Sequence, residues 1–173
     1  MSIETNTLID LLGLPENDIK IIEMRKALDA PKPLLDNFFK EYGGTSIPVD
    51  THKIELFFAD SSFYDGSDNG IYGNRDLLFS GILFREETTV PLPFGLEAED
   101  ALEKVYEKLG RKEDYHDDGI VPQKIWEFYT KDKKKALLYV IFDSGKYEKV
   151  AIVKVYLFEP EHEEVLEDMK VIN

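Results

Sequence analysis

One arrangement of parts recurs in this chain, and it limits the available folds more than any other feature. Gly13-Leu14-Pro15-Glu16-Asn17-Asp18 is matched by Gly95-Leu96-Glu97-Ala98-Glu99-Asp100 at an offset of 82 residues. Each opens a helix-patterned stretch, closing on Leu28 in one case and Leu109 in the other. After a polar stretch, Lys53-Ile54-Glu55-Leu56-Phe57-Phe58 is matched by Lys124-Ile125-Trp126-Glu127-Phe128-Tyr129 at an offset of 71. The shared order points to an internal duplication, with chance recurrence of common dipeptides as the alternative. A helix that buries one face on an antiparallel sheet is a self-consistent unit. The expected fold is therefore α+β, two tandem helix-plus-antiparallel-sheet units at residues 1–89 and 90–173, their sheets either fused or packed side by side.

Local patterns fill in the units. Leu8, Ile9, Leu11 and Leu12 make a short helix face, broken by Gly13-Leu14-Pro15. A second helix starts near Asn17 or Asp18, with Ile19, Ile22, Met24 and Leu28 at near-helical spacing. Pro33 suits the first turn of a third helix near 34–42, whose apolar face is Leu34, Leu35, Phe38 and Phe39 and whose stop is Gly43. This extra helix explains why the two offsets differ. His52 to Ala59 and Leu77 to Phe84 read as strands, with Gly81 marking a bulge or a close approach. Glu97 to Leu109 reads as a helix with Ala98, Ala101, Leu102, Val105, Tyr106 and Leu109 on its face and Gly110 as its stop. Arg111 to Pro122 reads as a polar loop. Strands follow at Lys124 to Tyr129, Ala136 to Phe142 and Lys149 to Phe158, and the acidic tail from Glu159 is expected to fray.

Charge narrows the partners. The chain carries 35 Asp and Glu against 21 Lys and Arg, a net charge of −14. Such a field repels nucleic acid and anionic membranes and attracts basic partners. With no cysteine, disulfides, thiolate metal sites and Cys nucleophiles are excluded. Met1 to Leu14 lacks the basic start of a secretory signal, and no apolar run is long enough to span a membrane, so a cytoplasmic location is expected.

The motifs carry a resemblance. Leu11-Leu12-Gly13-Leu14-Pro15-Glu16-Asn17-Asp18, the connector Val90-Pro91-Leu92-Pro93-Phe94-Gly95-Leu96 and the helix stop Lys108-Leu109-Gly110 resemble those of a broad group of small bacterial proteins. The strands around Trp126 and Tyr129 resemble the repeat of the SmpA/OmlA lipoproteins and of β-lactamase inhibitor protein. Members of the group often look like immunity proteins of bacterial toxin systems. The resemblance spans roughly Leu8 to Phe158 and implies a cytoplasmic, non-enzymatic protein that blocks the active site of a cognate, basic toxin. Its motifs are structural and name no chemistry. The chain departs from the pattern at Asp29-Ala30-Pro31, where a Gly would follow Leu28, and in its extra helix.

Catalytic patterns are scarce. His52, His116 and His162 lie at a strand start, in an acidic loop and in the acidic tail, and no Ser sits in a G-x-S-x-G elbow. No cofactor is expected. Asp65, Ser67, Asn69, Gly70 and Asp76 fall at positions 1, 3, 5, 6 and 12 of an EF-hand-like spacing, but the flanks read as strands and Asp stands where the bidentate Glu belongs. Glu113, Asp114, His116, Asp117 and Asp118 form a second acidic run, read as solvated loop rather than metal site. Both loops mix acids with aromatics, the composition of a recognition surface for a basic protein. The expected partner-binding residues are Phe63, Tyr64, Asp65, Asp68 and Tyr72 in one and Asp114, Tyr115, Asp117 and Asp118 in the other.

Overall fold

A computed structural model describes residues 4–117 and 119–171. Among these residues the chain is α+β, with six α-helices and a single seven-stranded antiparallel sheet. Helices α1 (Thr5–Asp10), α2 (Ile19–Ala27) and α3 (Asn37–Tyr42) come first. Strands β1 (Gly44–Val49) and β2 (Ile54–Asp60), the short helix α4 (Ser62–Asp65) and strand β3 (Leu77–Phe84) follow. Then come α5 (Leu102–Leu109), β4 (Tyr115–Asp117), β5 (Gln123–Tyr129), β6 (Lys135–Phe142), β7 (Val150–Leu157) and α6 (Glu163–Asp168). The strand order is β1-β2-β3-β7-β6-β5-β4. Two meanders, β1 to β3 and β4 to β7, thus meet where β3 pairs with β7.

The two faces of the sheet carry different cores. Leu56 of β2, Ile82 of β3, Val155 of β7, Leu138 of β6 and Trp126 of β5 sit opposite one another in register, so their side chains share one face. With Leu8, Ile21 and Val105 from the helices, and Leu12 and Leu28 just past the ends of α1 and α2, they form the main core. The other face holds a smaller cluster of Tyr115, Ile125, Leu137 and Leu166. Ile54 belongs to the first face and Ile125 to the second. The Lys53-Ile54 and Lys124-Ile125 anchors are therefore out of phase by one residue, which turns every side chain to the opposite face.

Caps and glycines fix the boundaries. Asp18 accepts a bond from Lys20 N at 2.8 Å and starts α2, and Asp36 accepts from Phe39 N at 3.0 Å and starts α3. Gly81 is both bulge and close approach. The β2–β3 register shifts beside it, and a Cβ there would overlap the Tyr156 ring and come within 2.9 Å of Val155 O.

Five expectations change. The helix read from Glu97 begins only at Leu102, because the buried Asp100 carboxylate accepts from Glu97 N at 2.7 Å and holds the preceding residues in a turn. β1, unread in the sequence, forms although it contains Pro48. It is an edge strand, and the bond from Asp60 N to Gly43 O sets a phase in which the Pro48 main chain faces outward, where no ladder donor is needed. β4 occupies part of the stretch read as a polar loop. The described part of the tail is folded: a 3-10 turn at Pro160–His162 leads into α6, and Leu166 is buried against Tyr115, Ile125 and Leu137. The helix expected near 34–42 begins only at Asn37, because the Asp36 carboxylate caps it there, so Pro33, Leu34 and Leu35 precede it; of its expected apolar face only Phe39 reaches the core, and Leu34, Leu35 and Phe38 are exposed.

Candidate functional site

The first acidic loop is built around one buried carboxylate. Asp60, at the end of β2, is fully buried. Its Oδ1 accepts from Ser62 N at 3.1 Å and Ser62 Oγ at 2.8 Å, and its Oδ2 accepts from Gly73 N at 3.0 Å. Three donors on both arms of the loop converge on one side chain, so the loop is held at its two roots. Charge-assisted bonds of this kind are about twice as strong as neutral ones.

Aromatic packing fixes the middle. The rings of Phe63 and Tyr72 meet at 5.2 Å and lie over Gly43, the left-handed stop of α3 (φ +70°). A Cβ at Gly43 would come within 2.7 Å of Tyr72 and 2.8 Å of Phe63, so both the turn and the contact require glycine. Tyr64 packs on the main core and its hydroxyl donates to Glu159 at 3.4 Å.

The carboxylates at the rim have local partners. Asp65 accepts from Ser67 and Arg75, and those bonds hold its carboxyl below the usual range, with the Ser67 hydroxyl the main cause. Asp68 accepts from Gly70 N at 2.9 Å and from the Tyr72 hydroxyl at 3.1 Å. Asn69 accepts from Ile71 N at 3.1 Å. The EF-hand-like side chains thus shape turns in their own loop. Among the described residues no three His, Asp or Glu side chains gather as a metal ion would need.

The acidic tail from Glu159, expected to fray, is a second acidic element that folds and joins this loop. The segment after β7 turns at Pro160 and runs back across the smaller core as α6. Its start meets α4, and the Tyr64–Glu159 bond crosses that junction. Tyr72 has its phenol pushed up by desolvation first, then by Asp68, with Glu161 among the charges that contribute. Loop and tail therefore lie in one field. Glu159 is paired with His162 at 3.5 Å, and burial raises its carboxyl above the usual range. Pro160, Glu161, Glu163, Glu164, Glu167 and Asp168 line a shallow acidic depression of about 590 Å³. Within it Glu167 is paired with Lys170 at 2.9 Å. Among the described residues Glu161, Glu163, Glu164 and Asp168 have no cation within ion-pair distance. The sequence held a signal for this helix, in Pro160 as a starter, two acids in the first turn and Leu166 as a core contact.

The second expected group lies away from the α4 loop but against the end of α6, where His116 N donates to Met169 O at 2.9 Å and Val171 N to Asp114 O at 3.0 Å. β4 is at the far edge of the sheet, four strand positions from β3, or roughly 19 Å at the usual spacing. Its residues hold internal partners. Asp114 accepts from Arg111 at 2.7 Å and from Glu127 N at 2.7 Å. Tyr115 is buried and donates to Glu127. Asp117 accepts from Gly119 N at 2.9 Å. Glu113, from the same run, is buried and lies 3.6 Å from the buried Lys124. Asp118 lies outside the described residues.

Among the described residues no helix is long and apolar enough to cross a membrane. Comparison with protein-family models, with curated proteins and with solved structures returns no match for this chain, so the likeness to immunity proteins rests on the sequence motifs alone.

Proposed function

We propose that this chain is a non-enzymatic binding protein that neutralises a basic protein by seating the α4 loop and the α6 segment on it. The carrying observation is the run of uncompensated carboxylates, Glu161, Glu163, Glu164 and Asp168, beside Phe63, Tyr64, Asp65, Asp68 and Tyr72. Rigid aromatics give contact area at small entropic cost, and clustered like charge steers a cationic partner and raises its on-rate. The sequence motifs favour an immunity protein that blocks the active site of a bacterial toxin, in a fold of two tandem helix-then-sheet units. Asp114, Tyr115 and Asp117 have structural work to do and stand outside the proposed contact.

The test is co-expression with the product of the neighbouring gene. This chain is expected to restore growth when that product is toxic. Reversing charge at Glu161, Glu163 and Glu164 to Lys is expected to abolish protection, while Asp117→Asn leaves it intact. A non-toxic neighbour, or protection indifferent to the triple reversal, would sink the proposal. Stoichiometric recovery of a non-toxin partner would favour an adaptor or inhibitor of another pathway.

A further inference from the structure

Strand β3 leaves its neighbour early. It pairs with β7 only from Gly81 opposite Tyr156 to Phe84 opposite Val153. Beyond Phe84 the chain bends toward the β1–β2 turn, where Arg85 N donates to Lys53 O at 2.9 Å and Thr89 N to His52 O at 3.2 Å. Among the described residues no strand then lies beside Val150, Ala151 and Ile152 on that edge of β7. Ala151 is also the extra residue of the β6–β7 bulge, since Ile141 pairs with Ile152 and Phe142 with Val150. It therefore lacks a register partner on either side. The vacated place is a groove of about 460 Å³, within the size range of ligand sites. Its floor is Val150, Ala151 and Val153, between walls formed by residues 85–92 and 95–98.

Backbone and charge together select the occupant. An unpaired strand edge is a template for another strand, and the groove continues the line of β3, so an extended segment fits it. Val90 and Leu96 are buried and make the inner walls apolar. The rim is acidic. Glu86 and Glu87 are exposed, and among the described residues neither has a cation within ion-pair distance. The cations nearby are already engaged: Arg85 with Glu55 at 2.6 Å, Lys149 with Glu99 at 3.2 Å, and Lys108 with both Glu97 and Asp100 at 2.8 Å. We propose that the groove takes an extended peptide segment bearing lysine or arginine, which adds an antiparallel strand to β7 along residues 150–152. Its apolar side chains meet the floor and its basic ones the carboxylates of Glu86 and Glu87.

This groove is separate from the carboxylates of the 160–168 segment. The α4 loop follows Asp60, which pairs with Leu77 at the start of β3, and the groove lies past Phe84 at the other end, roughly 24 Å along the strand. Val150 and Val153 belong to the main core, whereas α6 packs on the smaller cluster of the opposite face. The two sites are independent, and either can fail alone.

The test is an NMR titration of the full chain with a blocked pentapeptide of alternating lysine and valine. Amide shifts are expected at residues 150–152 and 88–90. The same peptide with its central amides N-methylated keeps the charge but cannot donate to β7, and is expected to bind at least ~10-fold more weakly. The glutamate–valine analogue is expected to weaken by at least as much. Glu86→Lys with Glu87→Lys changes exposed side chains only, and is expected to weaken binding at least ~5-fold while circular dichroism stays unchanged. Reversing Glu161, Glu163 and Glu164 to Lys is expected to leave the shifts at residues 150–152 in place. The absence of those shifts, equal binding of the N-methylated or the glutamate peptide, or shifts confined to the 160–168 segment would overturn the proposal. So would shifts at residues 150–152 that grow with protein concentration without peptide, since a second copy would then be the occupant.

Discussion

Asp60→Ala is the sharpest perturbation of the site's scaffold. The carboxylate accepts three bonds in a buried place. Removing it strands two donors on Ser62, which is 2% exposed, while Gly73 is an exposed residue whose N–H is expected to find a water instead. A buried donor left without a partner costs about 1–3 kcal/mol. Two such donors give about 2–6 kcal/mol, and entry of one water into the space left by the side chain favours the lower half, about 3 kcal/mol. For a chain of this size each kcal/mol lowers Tm by about 2–4 °C, so a loss of about 6–12 °C is expected. Asp60→Asn keeps one acceptor for Ser62 but sets an amide against Gly73 N–H, and is expected to cost about 1–2 kcal/mol. Urea unfolding of the three proteins measures both differences. If Asp60→Ala falls within about 0.5 kcal/mol of the parent, Asp60 does not hold the loop.

Three further outcomes follow from single contacts. Burial raises the Glu159 carboxyl above its ordinary 4.5, so the folded state holds that proton more tightly than the unfolded one. The stability contribution is complete below the ordinary value and is lost as pH rises through the raised one. Glu159→Gln is therefore expected to melt above the parent at pH ~7 and with it at pH ~4, by thermal scans at both values. Gly81→Ala drives a methyl into Tyr156 and Val155 O and is expected to cost about 1–3 kcal/mol in urea. Asp18→Ala removes the α2 cap at about 1 kcal/mol, with hydrogen exchange rising in the first turn of α2.

The buried strands were legible because each combines strong β formers with turn residues at its ends. Leu77–Phe84 was read with the bounds the structure has, and the three C-terminal strands shifted by one residue or so. Edge strands were not legible. β1 carries Pro48, and β4 is three residues long and polar, so neither shows the alternation that a half-buried strand requires. Periodicity marked Leu34, Leu35, Phe38 and Phe39 as one face, but it cannot distinguish residues that meet the core from residues left exposed. Within the site, the aromatics and acids of residues 63–72 were legible by composition. Asp60 was not, because its importance comes from burial and from donors up to thirteen residues away. The tail stayed hidden because one apolar contact, Leu166, positions a helix otherwise made of acids.

In the proposed function, the uncompensated carboxylates of the 160–168 segment, beside the α4 loop, recognise a basic protein. The most direct measurement is the Kd of this chain for the neighbouring gene's product by calorimetry at low and high salt, repeated with Glu161→Gln/Glu164→Gln. Binding is expected to weaken at least ~10-fold between ~50 and ~500 mM salt. The double variant is expected to lose about tenfold at low salt, equivalent to ~1.4 kcal/mol, and to show a shallower salt dependence. Tight binding that ignores both salt and the two substitutions would contradict the claim.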